Sequence, residues 1–550
     1  MSDLKIKAKN FQNSLKQNGI KVELRRIKNY VKYRKTVPDE FVEWSLLNEP
    51  TKNEIEKQKR YSSPLNTKFL ILVPNEETKK LIGEQTYNNY EIVISRPEDF
   101  MGNIEKYKSD YCIFIGENIQ LRPFTLYTIQ DFIEHNECNI IYSDNDYIEN
   151  GKRINPEFKP HFAYDNILSK NYIGNFLVVK TKFIKANKGI LNNISKKEPI
   201  YDLILRSLDV TQKIMHVDMI LYHKLNEIID IEEQKNIIKN YLNRNEIEYD
   251  DVKDGEFPGQ YKINYKILNK DEKISIVIPN MDHLDDLKKC INSIFKSSYH
   301  NYEIVIVENN SKKEETFKYY EELKKYENIK VIKMDISGFN YSQIVNFGVE
   351  NSNGKYIVML NNDIEILNKD WLEQMLMYVQ KENVGICGAR LYFEDDSIQH
   401  AGVTIGIRGL AGHKYRELKK SDFSEKDSIS FVQDLSAVTA ACFMVKKEDY
   451  EKVLGFDEKL AVAFNDVDFC LKIRKEKKLI IYNPFVEAYH YESKSRGEDT
   501  ENKEKQERFA KEYEIFVKRW WRVISKGDPY FNINFRLDTD IPKINYNKIM

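Results

Sequence analysis

Short apolar runs of strand length recur in pairs along this chain. Lys68–Pro74 (KFLILVP) is echoed by Lys273–Pro279 (KISIVIP), Asn89–Ile94 (NYEIVI) by Asn301–Ile306 (NYEIVI), and Tyr111–Leu121 (YCIFIGENIQL) by Tyr356–Leu367 (YIVMLNNDIEIL). Unbroken runs of this length predict strands buried on both faces of a parallel sheet. Further on, Tyr201-Asp202-Leu203 matches Asn465-Asp466-Val467, and Ile214–His223 matches Ile481–His490. The echoes predict one α/β unit used twice. Helical spacing places Leu284, Leu287, Ile291, Ile294 and Phe295 on one face, and Phe509, Tyr513, Phe516, Val517 and Trp520 on another. Glu232–Asn243 reads as a connecting helix, Asp250–Gly259 as an acidic linker with a Pro-Gly turn, and the tail from Asp528 as an extended strap. The predicted organisation is an N-terminal extension (1–60), a first α/β unit (61–228), a helical linker (229–271), a second unit (272–500) and a C-terminal helix with tail (501–550).

The polar residues that end these runs carry the candidate chemistry. Tyr356–Leu360 breaks into Asn361-Asn362-Asp363, and a buried parallel strand delivers such groups to the carboxyl edge of the sheet, where open α/β folds bind ligands. A carboxylate there can hold a hard cation against substrate phosphates, or merely cap a turn. On this stretch alone the two readings stand equal. Strand Glu303–Val307 ends in Glu308-Asn309-Asn310-Ser311, a set able to meet a base and a ribose; a bare turn is the plainer reading. Asn465 caps a helix whose first turn holds Asp466 and Asp468, both favoured beside the positive end of the dipole. His490 lies between Tyr489 and Tyr491, with Arg496 just beyond.

The first unit is the poorer copy. It has only Ser95–Asp110 where the second has Val307–Lys355, so a βα stretch is missing, and it reads Gly116-Glu117-Asn118 in place of Asn361-Asn362-Asp363. Asp144 and Asp146 form a candidate replacement cluster.

Composition narrows the partners. At 550 residues the chain needs more than one core, and 85 basic against 86 acidic residues give no global field for nucleic acid. The charge is local: the first 35 residues are rich in Lys and Arg, with Asp3 and Glu23 as their acids. A membrane-surface arm and a solvated arm are both open there, the solvated arm favoured. Six scattered cysteines without C-x-x-C spacing suit a reducing compartment, and no apolar run has the roughly 18 residues of a membrane span. A cytoplasmic protein is expected, at the inner face of the membrane if the arm docks. Nucleotide-binding oxidoreductase and P-loop signatures are missing: Gly406-Ile407-Arg408-Gly409 lacks the G-x-G-x-x-G spacing, and Gly354-Lys355 has no following Ser or Thr.

Taken in order, SIVIPNMDHLDDLKKCINSI, YEIVIVENNS, FNYSQIVNFG, YIVMLNND, IQHAGVTIG, SAVTAACFMV, GFDEKLAVAFNDVDFCLKIR and YHYESKSRG resemble family 2 glycosyltransferases of the GT-A fold. The resemblance is to two-domain members of cell-surface polysaccharide synthesis, rhamnan and O-antigen types included. It implies tandem GT-A-like domains, the first degenerate. It implies that Pro279, Glu308 and Ser311 line a nucleoside pocket with Asn280, Asn310, Asn346 and Asn362 beside them, and that Arg496 approaches the diphosphate. Asp363 and His490 would hold Mn2+ or Mg2+, and Asp466 would be the general base of an inverting transfer. His400, His413 and Asp468 receive a loose acceptor-side role. The implied partners are a UDP- or dTDP-sugar and a glycan, lipid-linked glycan or protein acceptor. Two departures stand out: Glu308 replaces a common Asp, and the usual D-x-D is Asn361-Asn362-Asp363. The rival reading keeps the fold as a non-catalytic scaffold of a glycan-assembly complex.

Overall fold

A computed structural model describes residues 40–61, 66–226, 228–336, 338–424, 428–491 and 503–545. The basic arm and Arg496 lie outside the described residues. The apolar runs form two mixed sheets. In the first, strands lie side by side in the order Tyr90–Ile94, Phe69–Val73, Tyr111–Ile115, Phe176–Lys180, Ile140–Glu149, Ile214–Lys224, Ile119–Leu121. In the second the order is Ile329–Lys333, Tyr302–Glu308, Ile274–Asn280, Tyr356–Leu360, Cys442–Lys446, Val384–Tyr392, Leu479–His490, Ile364–Ile366. Along these paths the orders coincide, except that the second has one more strand at its edge; off the paths the first sheet carries one further strand and the second two. That edge strand, Ile329–Lys333, falls in the stretch the first unit lacks.

Phe69–Val73, Tyr111–Ile115 and Tyr356–Leu360 are buried at every position, as unbroken apolar sequence requires. Helices cover the faces. Leu284–Ile294 buries Leu287, Cys290, Ile291 and Ile294, whereas Phe295, which the spacing put on the same face, caps the helix and is exposed. The segment read as an acidic linker is a hairpin instead: Tyr249–Asp254 pairs antiparallel with Tyr261–Tyr265. Tyr261, Ile263 and Tyr265 alternate inward, a period-two pattern that the acidic residues obscure.

The two units are bound by buried polar contacts and by the tail. On helix Tyr164–Ser169 the Asp165 backbone N–H donates to Asp434 Oδ2 (3.1 Å), and the Asp434 N–H donates to Asn166 Oδ1 (2.7 Å). The tail runs as a strap across both. Asp528 accepts from the Ile405 N–H and from Ser436 in the second unit. Asn532 and Asn534 donate to Asp144 in the first. All six cysteines are buried and unbridged, and no helix among the described residues is long and apolar enough to cross a membrane.

Candidate active site

Strand pairing brings the second unit's polar ends together. Strand Ile364–Ile366 runs antiparallel to the end of Leu479–His490 with Ile364 opposite His490, and the Tyr491 N–H donates to the Asp363 carbonyl. Asp363 and His490 are therefore neighbours despite their separation in sequence, with the Asp363 carboxylate 3.3 Å from His490 Nε2. Burial tends to push the Asp363 carboxyl up; the facing imidazole outweighs it and holds the group below the usual carboxylate range. Beyond that ion pair, Asp363 Oδ1 has no hydrogen-bond partner, and the buried His490 Nδ1 and Asn361 Oδ1 have none at all. Unpaired buried lone pairs are costly, and a carboxylate oxygen beside an imidazole is a donor set that suits Mn2+ or Mg2+. The residues fit a divalent cation.

The neighbouring strand ends are more tightly tied. Glu308 accepts from both the N–H and the hydroxyl of Ser311 (2.6 Å each) and from the Tyr320 hydroxyl (2.6 Å). Asn280 donates to Tyr320 and accepts from Asn362, also at 2.6 Å. Glu308, Tyr320, Asn280 and Asn362 thus form one chain of bonds leading to the residue before Asp363. Asn310 takes a left-handed conformation (φ 64°) and donates to the Ile336 carbonyl. Pro279, half-buried, is the penultimate residue of its strand, which ends at Asn280. Tyr320 was not foreseen; its helix is charged and amphipathic, and only the fold turns it toward Glu308.

Asp466 lies in the first turn of helix Asn465–Lys475, entered through Phe464 in a left-handed conformation (φ 62°). Nearby, the Tyr341 hydroxyl donates to the Ala440 carbonyl (3.1 Å), and burial first, then the charges of Asp466 and Asp363, push it well up. Tyr341 lies within the stretch FNYSQIVNFG yet carries no expected role.

Two expectations are corrected. Asn346 spends its amide on structure: Nδ2 donates to the Phe456 carbonyl, and Oδ1 accepts from the Tyr450 hydroxyl and the Phe456 N–H, clamping the turn before the Asp466 loop. Asp468 is fully buried and accepts from Arg519 (2.7 Å) and the Trp520 indole (2.8 Å), so it anchors the C-terminal helix and presents nothing to an acceptor. His400 and His413 do form a pair, Nδ1 to Nδ1 at 2.9 Å. The Thr439 N–H donates to His400 Nε2, and burial first, then His413, His490 and Lys414, push His400 far below its ordinary range.

Residues 275–454 match the model for glycosyl transferase family 2. The chain carries a family 2 glycosyltransferase domain. Its match includes Glu308 and Asp363 and stops short of Asp466 and His490. An uncharacterised protein, y4gI, of Sinorhizobium fredii is 31% identical over 454 residues, which is 79% of this chain and 49% of that protein. The O-antigen biosynthesis protein RfbC of Myxococcus xanthus is 28% identical over 446 residues, 78% of this chain and 34% of that protein. The chain thus spans half or less of the length of these two relatives. A solved structure of GalNAc-T7 with UDP, GalNAc and Mn2+ aligns at 14% identity over 48% of this chain and 51% of that one, with a TM-score of 0.40.

Proposed function

We propose that the transferase domain is a metal-dependent, inverting enzyme that moves a sugar from a nucleoside-diphosphate donor to a hydroxyl of a glycan or glycoconjugate, in the synthesis of a cell-surface polysaccharide. The observation that carries this is the Asp363–His490 pair at the sheet edge, with the buried His490 Nδ1 and Asn361 Oδ1 left without hydrogen-bond partners beside it. The O-antigen role named for the Myxococcus relative supports the polysaccharide setting. A cation held by Asp363 and His490 would offset the charge gathering on a departing diphosphate. Asp466 accepts the proton of the acceptor hydroxyl as its oxygen bonds to the anomeric carbon; the bond to the diphosphate breaks with its electron pair leaving on phosphate. Attack from the face opposite the leaving group inverts the centre. The strand ends at Pro279, Glu308, Asn310 and Ser311 frame the donor, and Glu308 acts by fixing the Ser311 loop. Arg496, beyond the described residues, is the proposed diphosphate contact.

The first unit keeps the architecture in a non-catalytic form. Ile119 faces Lys224 where Ile364 faces His490, so Asn118 and Lys224 occupy the places of Asp363 and His490. The sequence echo had aligned His223 with His490; the sheet register moves the match by one residue. His223 is instead paired with Asp146, which Arg153 also engages at 2.6 Å. A fixed ammonium and an amide do not hold a divalent cation.

A panel of UDP-, dTDP- and GDP-sugars, with and without Mn2+, tests the reading by nucleoside diphosphate release. Asp466→Asn is expected to keep donor affinity while turnover falls about 10²–10⁴-fold. Asp363→Asn is expected to abolish the Mn2+ dependence of donor binding. Wild-type turnover in Asp466→Asn would remove that residue from the reaction.

A further inference from the structure

His216 and Asp218, two residues apart on strand Ile214–Lys224, project from the same face, and His161 approaches them from the loop before helix Tyr164–Ser169. One donor atom from each lies within 4.8 Å of the other two. His216 Nδ1 is 3.1 Å from Asp218 Oδ1, and His161 Nε2 is 3.7 Å from Asp218 Oδ2. Ligands bound at about 2.0–2.2 Å in a tetrahedral site stand roughly 3.3–3.6 Å apart, so each imidazole already stands near the required distance from one of the two Asp218 oxygens. The facing His216 Nδ1 and Asp218 Oδ1 form an ion pair without hydrogen-bond geometry, and neither atom has any other partner although the His216 side chain is wholly buried. Its other nitrogen, Nε2, is 2.8 Å from Asp144 Oδ1, and its ring stacks on Tyr142 with centroids 4.8 Å apart. Asp144 in turn accepts from the Lys159 N–H and from Asn532 and Asn534 of the strap. A carboxylate behind one imidazole nitrogen, with the other nitrogen aimed at a second histidine and a carboxylate, is how proteins orient a histidine ligand. His161 is half exposed and opens on a cleft of about 750 Å3 that Asp528 and Asn532 also line, which gives an ion its route in.

We propose that His161, His216 and Asp218 form a second metal site, separate from Asp363 and His490, which takes a first-row divalent transition ion such as Zn2+. Two imidazoles and one carboxylate select such an ion over Mg2+ or Ca2+. The His161 N–H already donates to the Pro529 carbonyl, so the bound ion pins the strap's entry to the first unit.

The test uses the full chain stripped with chelator and then titrated with Co2+, read by visible absorption, and with Zn2+, read by thermal unfolding. Asp363→Asn removes the contribution of the other pair. Expected in Asp363→Asn is one equivalent of Co2+ with ligand-field bands and a rise in Tm with Zn2+; adding His161→Ala, an exposed position that leaves the fold intact, abolishes both. Asp144→Asn is expected to weaken Co2+ about 10–100-fold while keeping the bands. Bands and Tm shift that persist in the Asp363→Asn, His161→Ala double variant, or their absence from Asp363→Asn alone, overturn the assignment.

Discussion

Gly348 has no room for a side chain. A Cβ built there falls 2.4 Å from Val277 Cγ1 and 2.9 Å from Val307 Cγ2, the residues that lead into Pro279 and Glu308. Helix Tyr341–Glu350 lies that close to the sheet. Gly348→Ala should therefore destabilise the protein by about 1–3 kcal/mol through overpacking, read as a lower urea midpoint at unchanged slope. Sequence alone shows a glycine inside an apolar helix, normally a weakness, and not the valines that require it. Asn346 and Asp468 make the same point. Both types are common in sites, and each is here committed to a backbone clamp or a buried anchor that only its partners reveal.

The C-terminal helix Lys503–Ile524 is a brace for the loop that presents Asp466. Glu512 accepts from the Val462 and Ala463 N–H groups, Phe464 stacks on Phe516 at 5.1 Å, and Arg519 and Trp520 hold Asp468. Helical spacing already marks Phe516 and Trp520 as a packing face, and both are buried; the polar half of the contact was invisible because its partners are about 50 residues away. Under the proposed function, Glu512→Ala leaves two N–H groups unpaired and frees the approach to Asp466. Turnover should fall, by up to about 100-fold where positioning dominates, while donor KM stays near wild type. Full turnover in this variant would show that the brace does not position Asp466.

At the scale of the whole molecule, the contact between units buries two carboxyl groups side by side. Burial first, and then Asp165, push the Asp434 carboxyl well above its usual range. Its folded form thus holds a proton that the unfolded chain releases near pH 4. The folded state binds more protons, so stability falls as pH rises from that value toward the raised one, by up to about 1.4 kcal/mol per pH unit for one proton. Asp434→Asn replaces the titrating carboxyl by a neutral amide and removes the dependence. Thermal unfolding between pH 5 and 8 is expected to give a flatter Tm profile for the variant, with the larger advantage at pH 8. Parallel profiles would show that Asp434 releases its proton in the fold.

The sequence by itself determined the buried strands and the placing of Asp363 at a strand's carboxyl end, because each depends on the spacing of apolar residues over a few positions. What it left open depended on register. One residue of shift decides whether His223 or Lys224 answers to His490, and that shift is set by pairing across the sheet, not by the local run. The His161, His216 and Asp218 cluster had no signal for the same reason: its members meet only after a loop folds back on a strand. Local periodicity chooses elements; contacts between distant segments choose the chemistry.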